Sequence, residues 1–137
     1  QVLWLDAKEH SYIEEVGTMN IFFRIGDTFV TPPLSGSILS GVTRMSVIDF
    51  LRHKGHTVEE RKITLDEVKQ ASIDGTLKEA FGTGTAVGIA YIETIEDEDG
   101  DILVSKESPI GKEINDWLNN LKIGKVEDVF NWIQIAE

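Results

Sequence analysis

The chain has 137 residues, of which 41% are hydrophobic, so it suits one domain with a buried core. A formal net charge of −11 argues against a partner made of nucleic-acid phosphates. The absence of cysteine excludes a disulfide framework and thiolate chemistry, and no apolar run is long enough to span a bilayer as a helix. These features lead to the expectation of a cytoplasmic protein.

The chain opens on Gln1, and Val2-Leu3-Trp4-Leu5 already reads as a buried-type strand. The expectation is therefore a portion of something longer. The polar run Asp6 to Ser11 reads as a hairpin loop and Tyr12 to Val16 as its returning strand. Gly17 interrupts, Asn20 to Ile25 resumes, Gly26-Asp27 turns, and Thr28 to Thr31 pairs back. The first thirty or so residues thus predict an antiparallel meander.

After the prolines at 32 and 33, Val47, Ile48 and Leu51 mark one face of a helix over Thr43 to Lys54, with Thr43 as its N-cap and Gly55 as its stop. Thr57 to Ile63 predicts a strand. Thr64 and Glu67 form a capping box that starts a helix, ended by Asp74-Gly75. Thr76 and Glu79 repeat the box, so a short helical turn to Phe81 is expected. A long strand over Val87 to Ile95 follows. The acidic turn Asp97 to Asp101 leads to Ile102-Leu103-Val104, which pairs back. Ser108 as cap and Pro109 in the first turn open a last helix, with Ile110, Ile114, Trp117, Leu118 and Leu121 on one face and Gly124 at its end. Val126 to Glu137 reads equally as helix or edge strand.

Several stretches have candidate chemistry. Gly36 to Arg44 feeds a helix start, where free N–H groups and the positive end of the dipole can hold a phosphate. Its spacing resembles a Walker A loop, but Val42 stands at the lysine position. That argues against a nucleotide triphosphatase and leaves room for one phosphate. An ordinary glycine-containing loop is the plain alternative. Gly82-Thr83-Gly84-Thr85-Ala86 has glycines free to turn N–H groups inward, beside threonine hydroxyls, as in an anion nest. It lacks the third glycine of a dinucleotide fold. Glu14 and Glu15 are adjacent on a strand and point to opposite faces. The one toward the core needs a cationic partner, such as a protonated ring nitrogen, while a surface ion pair is the alternative. The acidic turn lacks acids at the first and twelfth positions of a calcium loop, and His10, His53 and His56 lack ligand spacing, so no metal site is expected.

Glu14-Glu15-Val16-Gly17-Thr18-Met19-Asn20, Leu39-Ser40-Gly41-Val42-Thr43-Arg44 and Phe81-Gly82-Thr83-Gly84-Thr85-Ala86 together resemble the branched-chain aminotransferases, fold-type IV enzymes that use pyridoxal 5′-phosphate. Gln1 to Asp6 is similar too, and the likeness runs from Gln1 to about Ile95. It implies an α/β fold with a mostly antiparallel, barrel-like sheet and surrounding helices. The whole chain, 1–137, is expected to be one C-terminal cofactor-binding domain of a longer, homodimeric enzyme. That enzyme would move the amino group of leucine, isoleucine or valine to 2-oxoglutarate.

Residue by residue, the resemblance implies Glu15 on the pyridine nitrogen and Leu39 packed on the ring. Gly41, Val42, Thr43 and Thr85 would hold the phosphate. Thr85 and Ala86 would donate to the substrate carboxylate, with Thr18 and Met19 beside the substrate pocket. The Schiff-base lysine is expected upstream of Gln1, so this piece alone is expected to be inactive. Ser40 stands where the family has proline. Val87 and Ala90 stand where some animal members have a redox cysteine pair, and Ala90-Tyr91 departs from the usual Ser/Cys-Pro. A D-amino-acid aminotransferase, an aminodeoxychorismate lyase and a non-catalytic domain with the same fold are the alternatives.

Overall fold

The computed structural model describes residues 1–136. Its centre is β3 (Asn20–Ile25), whose Asn-Ile-Phe-Phe-Arg-Ile run is buried on both faces. A strand alternates its side chains. Ile21 and Phe23 therefore enter one apolar cluster, with Ile13, Val16, Val30, Ile63, Val68 and Leu77. Phe22 enters the other, with Phe29, Val47, Ile48, Phe50, Leu51, Phe81 and Ile114. Each of these fully buried side chains contributes roughly 1.5–3 kcal/mol relative to exposure.

Antiparallel to β3 on one side lies β4 (Thr28–Thr31), and on the other β6 (Leu77–Gly84). Beyond β6 is β7 (Gly88–Tyr91), also antiparallel, and beyond β4 is β5 (Thr57–Glu60), which is parallel to it. The five-stranded order is β5-β4-β3-β6-β7, so the sheet is open, with β5 and β7 at its edges. The parallel step from β4 to β5 requires a crossover, supplied by α1 (Val42–His53). β1 (Leu3–Leu5) and β2 (Ile13–Val16) form a separate antiparallel ribbon, as do β8 (Thr94–Ile95) and β9 (Ile102–Leu103). α2 (Leu65–Ile73) packs on the first cluster, and α3 (Pro109–Lys122) on the second. The expected α/β class and mostly antiparallel sheet are both present, but the sheet is open and does not close into the expected barrel-like form.

Local chemistry fixes the turns. Asp6 accepts hydrogen bonds from the N–H groups of Glu9, Tyr12 and Ser11 at 2.6, 2.9 and 3.0 Å, closing the β1–β2 loop. The same donors, Glu9 first, hold its carboxyl down at a pKa of about 2. Gly17, at φ +57°, makes the tight return into β3.

Five expectations change. The cap of α1 is Gly41, in extended backbone, not Thr43, which lies inside the first turn. The second capping box does not open a helix. Thr76 is spent at the end of α2, where its N–H and its hydroxyl both donate to the Ala71 carbonyl at 2.8 and 3.2 Å. Leu77 onward is then taken by the ladder to β3. The long strand over Val87 to Ile95 divides, because the chain leaves β6 after the Ile92 N–H bonds the Ala80 carbonyl and then pairs with β9. Thr57 to Ile63 is strand only to Glu60, after which the Ile63 carbonyl turns to accept from Ile13 N–H.

The fifth concerns Ser108. It occupies the N-cap of α3, but its hydroxyl donates to Glu79 (2.7 Å) instead of accepting from the helix. Val126 to Ala136 is neither helix nor strand; Phe130 and Trp132 stack there at 4.4 Å. Glu137 lies outside the described residues.

Candidate functional site

Two of the three stretches singled out in the sequence, Glu14 to Asn20 and Leu39 to Arg44, meet at the backbone of Leu39. Its N–H donates to Glu15 Oε1 at 2.9 Å. Its carbonyl accepts from the Asn20 side-chain amide at 2.8 Å and from Gly41 N–H at 2.9 Å. Glu15 belongs to β2, Asn20 begins β3, and Gly41 caps α1. The loop is further tied by Ser37, whose hydroxyl donates to Glu14 Oε1 at 2.8 Å. Both glutamates thus reach the same loop, and among the described residues neither is in an ion pair with lysine or arginine.

Gly41 has no room for a side chain. A Cβ there would lie 2.3 Å from Asn20 Oδ1. The close approach seats the start of α1 against the start of β3. No side chain caps α1, and its first turn contains no acid. α2 differs, since the Thr64 hydroxyl accepts from Glu67 N–H at 3.1 Å. So does α3, whose Ile110 and Gly111 N–H groups donate to Glu79 at 3.3 and 2.9 Å. The N-terminal donors of α1 are therefore free for an outside anion. The helix is anchored by buried Arg44, whose Nη2 donates to the Pro32 carbonyl and to Glu60 Oε1, both at 3.0 Å. Burial alone would raise the Glu60 carboxyl, but hydrogen bonds and charge from Arg44 and Arg52 more than offset it and hold it below the usual range.

The third stretch is reached through the sheet. Asn20 lies opposite Thr83 in the β3–β6 ladder, beyond the stacked Phe22–Phe81 pair. Met19 lies over Gly82 and Gly84; a Cβ on Gly82 would meet its Cε at 3.0 Å. The Thr83 hydroxyl is buried with no hydrogen-bond partner among the described residues. Thr85 and Ala86 form the exposed tip of the β6–β7 hairpin. Among the described residues no hydrogen bond joins that tip to α1, and none is made by Thr18, which is exposed at its turn. Leu39 and Val42 are 72% and 67% exposed, so two large apolar side chains stand free at the site. No described lysine is buried; Lys69, the least exposed, is paired with Asp97.

The uncapped helix start and an unpartnered hydroxyl can donate to a phosphate, and the nearby Glu15 carboxylate can accept from a protonated ring nitrogen; pyridoxal phosphate has both groups. Sequence reasoning had assigned Asn20 no role. Its signal was its place at the end of a glutamate–glycine–threonine run, but its bond to a residue nineteen positions on is a tertiary fact.

Residues 1–95 match the amino-transferase class IV family. Branched-chain-amino-acid aminotransferase 2 of Bacillus subtilis is 52% identical over 134 residues, which is 96% of this chain and 37% of that protein. The crystal structure of Escherichia coli branched-chain amino acid aminotransferase superposes with a TM-score of 0.80 at 26% identity, over 97% of this chain and 40% of that one. A T.th. branched-chain amino acid aminotransferase, complexed with N-(5′-phosphopyridoxyl)-L-glutamate, shares the fold at a TM-score of 0.78 and 24% identity, over 96% and 41% of the two chains. This chain spans well under half the length of these proteins. It belongs to the amino-transferase class IV family.

Proposed function

We propose that this chain is the cofactor-binding part of a pyridoxal-phosphate enzyme that transfers the amino group of leucine, isoleucine or valine to 2-oxoglutarate. The observation that carries the reading is the Leu39 peptide, held by Glu15 immediately ahead of an uncapped helix start. In this reading Glu15 holds the protonated ring nitrogen, and Leu39 covers the face of the ring. The N–H groups at the start of α1, with the Thr43 and Thr85 hydroxyls, hold the phosphate. The dipole contributes about 0.3–2 kcal/mol toward that anion, so the hydroxyls and charged groups supply the rest. The Thr85 and Ala86 N–H groups receive the substrate carboxylate, and Thr18 and Met19 border its side chain. When bound, the cofactor supplies an electron sink for charge that develops at the substrate α-carbon.

The names of the relatives support the substrate class. The lysine that carries the cofactor belongs, in this reading, to a part of the enzyme outside this chain, and the whole enzyme is a cytoplasmic homodimer. The test uses the full-length protein. L-valine with 2-oxoglutarate should give glutamate, D-alanine should not, and Glu15→Gln should lower the rate by about a hundredfold or more. Turnover of D-alanine in preference to L-valine would replace this reading with that of a D-amino-acid enzyme.

A further inference from the structure

The polar contacts around Leu39 have a mechanical consequence. Asn20 is 4% exposed, and its carboxamide faces the Leu39–Gly41 segment. The nitrogen donates to the Leu39 carbonyl at 2.8 Å. The oxygen lies beside Gly41, where an added Cβ would be 2.3 Å from it. Leu39 is thereby gripped from both sides, by Glu15 at its N–H and by Asn20 at its carbonyl.

We propose that Asn20 is a positioning residue that fixes the distance and orientation of the Glu15 carboxylate relative to the first turn of α1, so that one rigid ligand can engage both at once. It touches neither end of that ligand. Its effect is on their spacing. A ligand with a cationic ring at one end and a phosphate at the other gains from such rigidity, because the second contact becomes intramolecular with the first. A ligand with only one of those groups gains nothing. The inference rests on the pyridoxal phosphate reading above.

The experiment measures binding of pyridoxal phosphate, of pyridoxal and of inorganic phosphate to the full-length protein and to its Asn20→Ala and Asn20→Asp variants. Loss of the amide bond should weaken pyridoxal phosphate about tenfold, while pyridoxal and inorganic phosphate change by less than about twofold. Asn20→Asp retains the shape but turns an acceptor toward the Leu39 carbonyl, so it tests the same point if the alanine variant does not fold. Equal weakening of all three ligands, or of none, overturns the inference while leaving the cofactor reading in place. Failure of the unaltered protein to bind pyridoxal phosphate overturns both.

Discussion

Glu79 shows what one buried carboxylate can organise. It is 1% exposed on β6, yet it accepts from Arg24 Nη1 at 3.0 Å, from the Ser108 hydroxyl at 2.7 Å and from the Gly111 N–H at 2.9 Å. It therefore joins β3, β6 and the start of α3, and it caps a helix from a distant strand. A charge taken out of water persists only when its partners satisfy it, and removing one member leaves the others buried and unmet. Glu79→Ala should cost about 3 kcal/mol, read as a fall in the urea midpoint without change in slope. A loss below about 1 kcal/mol would mean that Arg24 and the α3 donors find water instead. In the sequence, Glu79 looked like the second half of a capping box. Its spacing from Thr76 is right for that role, and nothing local reveals partners thirty residues away.

At the scale of elements, Thr64 and Thr76 open the same four-residue pattern with different outcomes. After Thr64 the chain is free to wind, and the hydroxyl takes Glu67 N–H at 3.1 Å. Thr76 is already committed to closing α2, and Gly75 before it sits at φ +71°, as helix ends favour. Thr64→Ala should therefore destabilise by about 1 kcal/mol, and a thermal melt should show the midpoint falling by a few degrees. An unchanged midpoint would mean that Asp66 and Glu67 satisfy the dipole alone. The same contrast explains what was legible. Amphipathic faces predicted α1 and α3, a capping box predicted α2, and turn signals bounded β2, β3 and β4 within a residue or so. The spans that failed were those settled by competition for a pairing partner, as at Ile92, after which the chain leaves β6 for β9. Short sequence runs singled out Glu15, Leu39 and Gly41 to Thr43 as candidates, and the fold brings Glu15, Leu39 and Gly41 together. The contacts of Asn20 were not legible, because they join segments far apart in sequence.

For the molecule as a whole, the dominant imbalance is charge. Twenty-four acids face thirteen bases, which leaves −11 at neutral pH. Much of the basic complement is already used: Arg24, Arg44, Arg52 and Arg61 are all in ion pairs, as are Lys54 and Lys69. The surplus acids, such as Asp49, Glu98 and Asp101, have no pairing cation among the described residues and repel one another across the surface. Self-repulsion of this kind opposes the compact state. Salt acts on it in two opposed ways. It weakens exposed pairs such as Lys54–Glu113, each worth about 0–1 kcal/mol, and it shortens the reach of the repulsion from about 30 Å at 0.01 M to about 10 Å at 0.1 M. The pairs act at contact distance and the surplus acts over many separations longer than that, so screening removes more repulsion than attraction. For the 137-residue chain, raising sodium chloride from about 10 to about 150 mM at pH 7 should lift the thermal midpoint by a few degrees. A midpoint that falls over that range would show that local ion pairs, not the overall surplus, set the electrostatic balance of the fold.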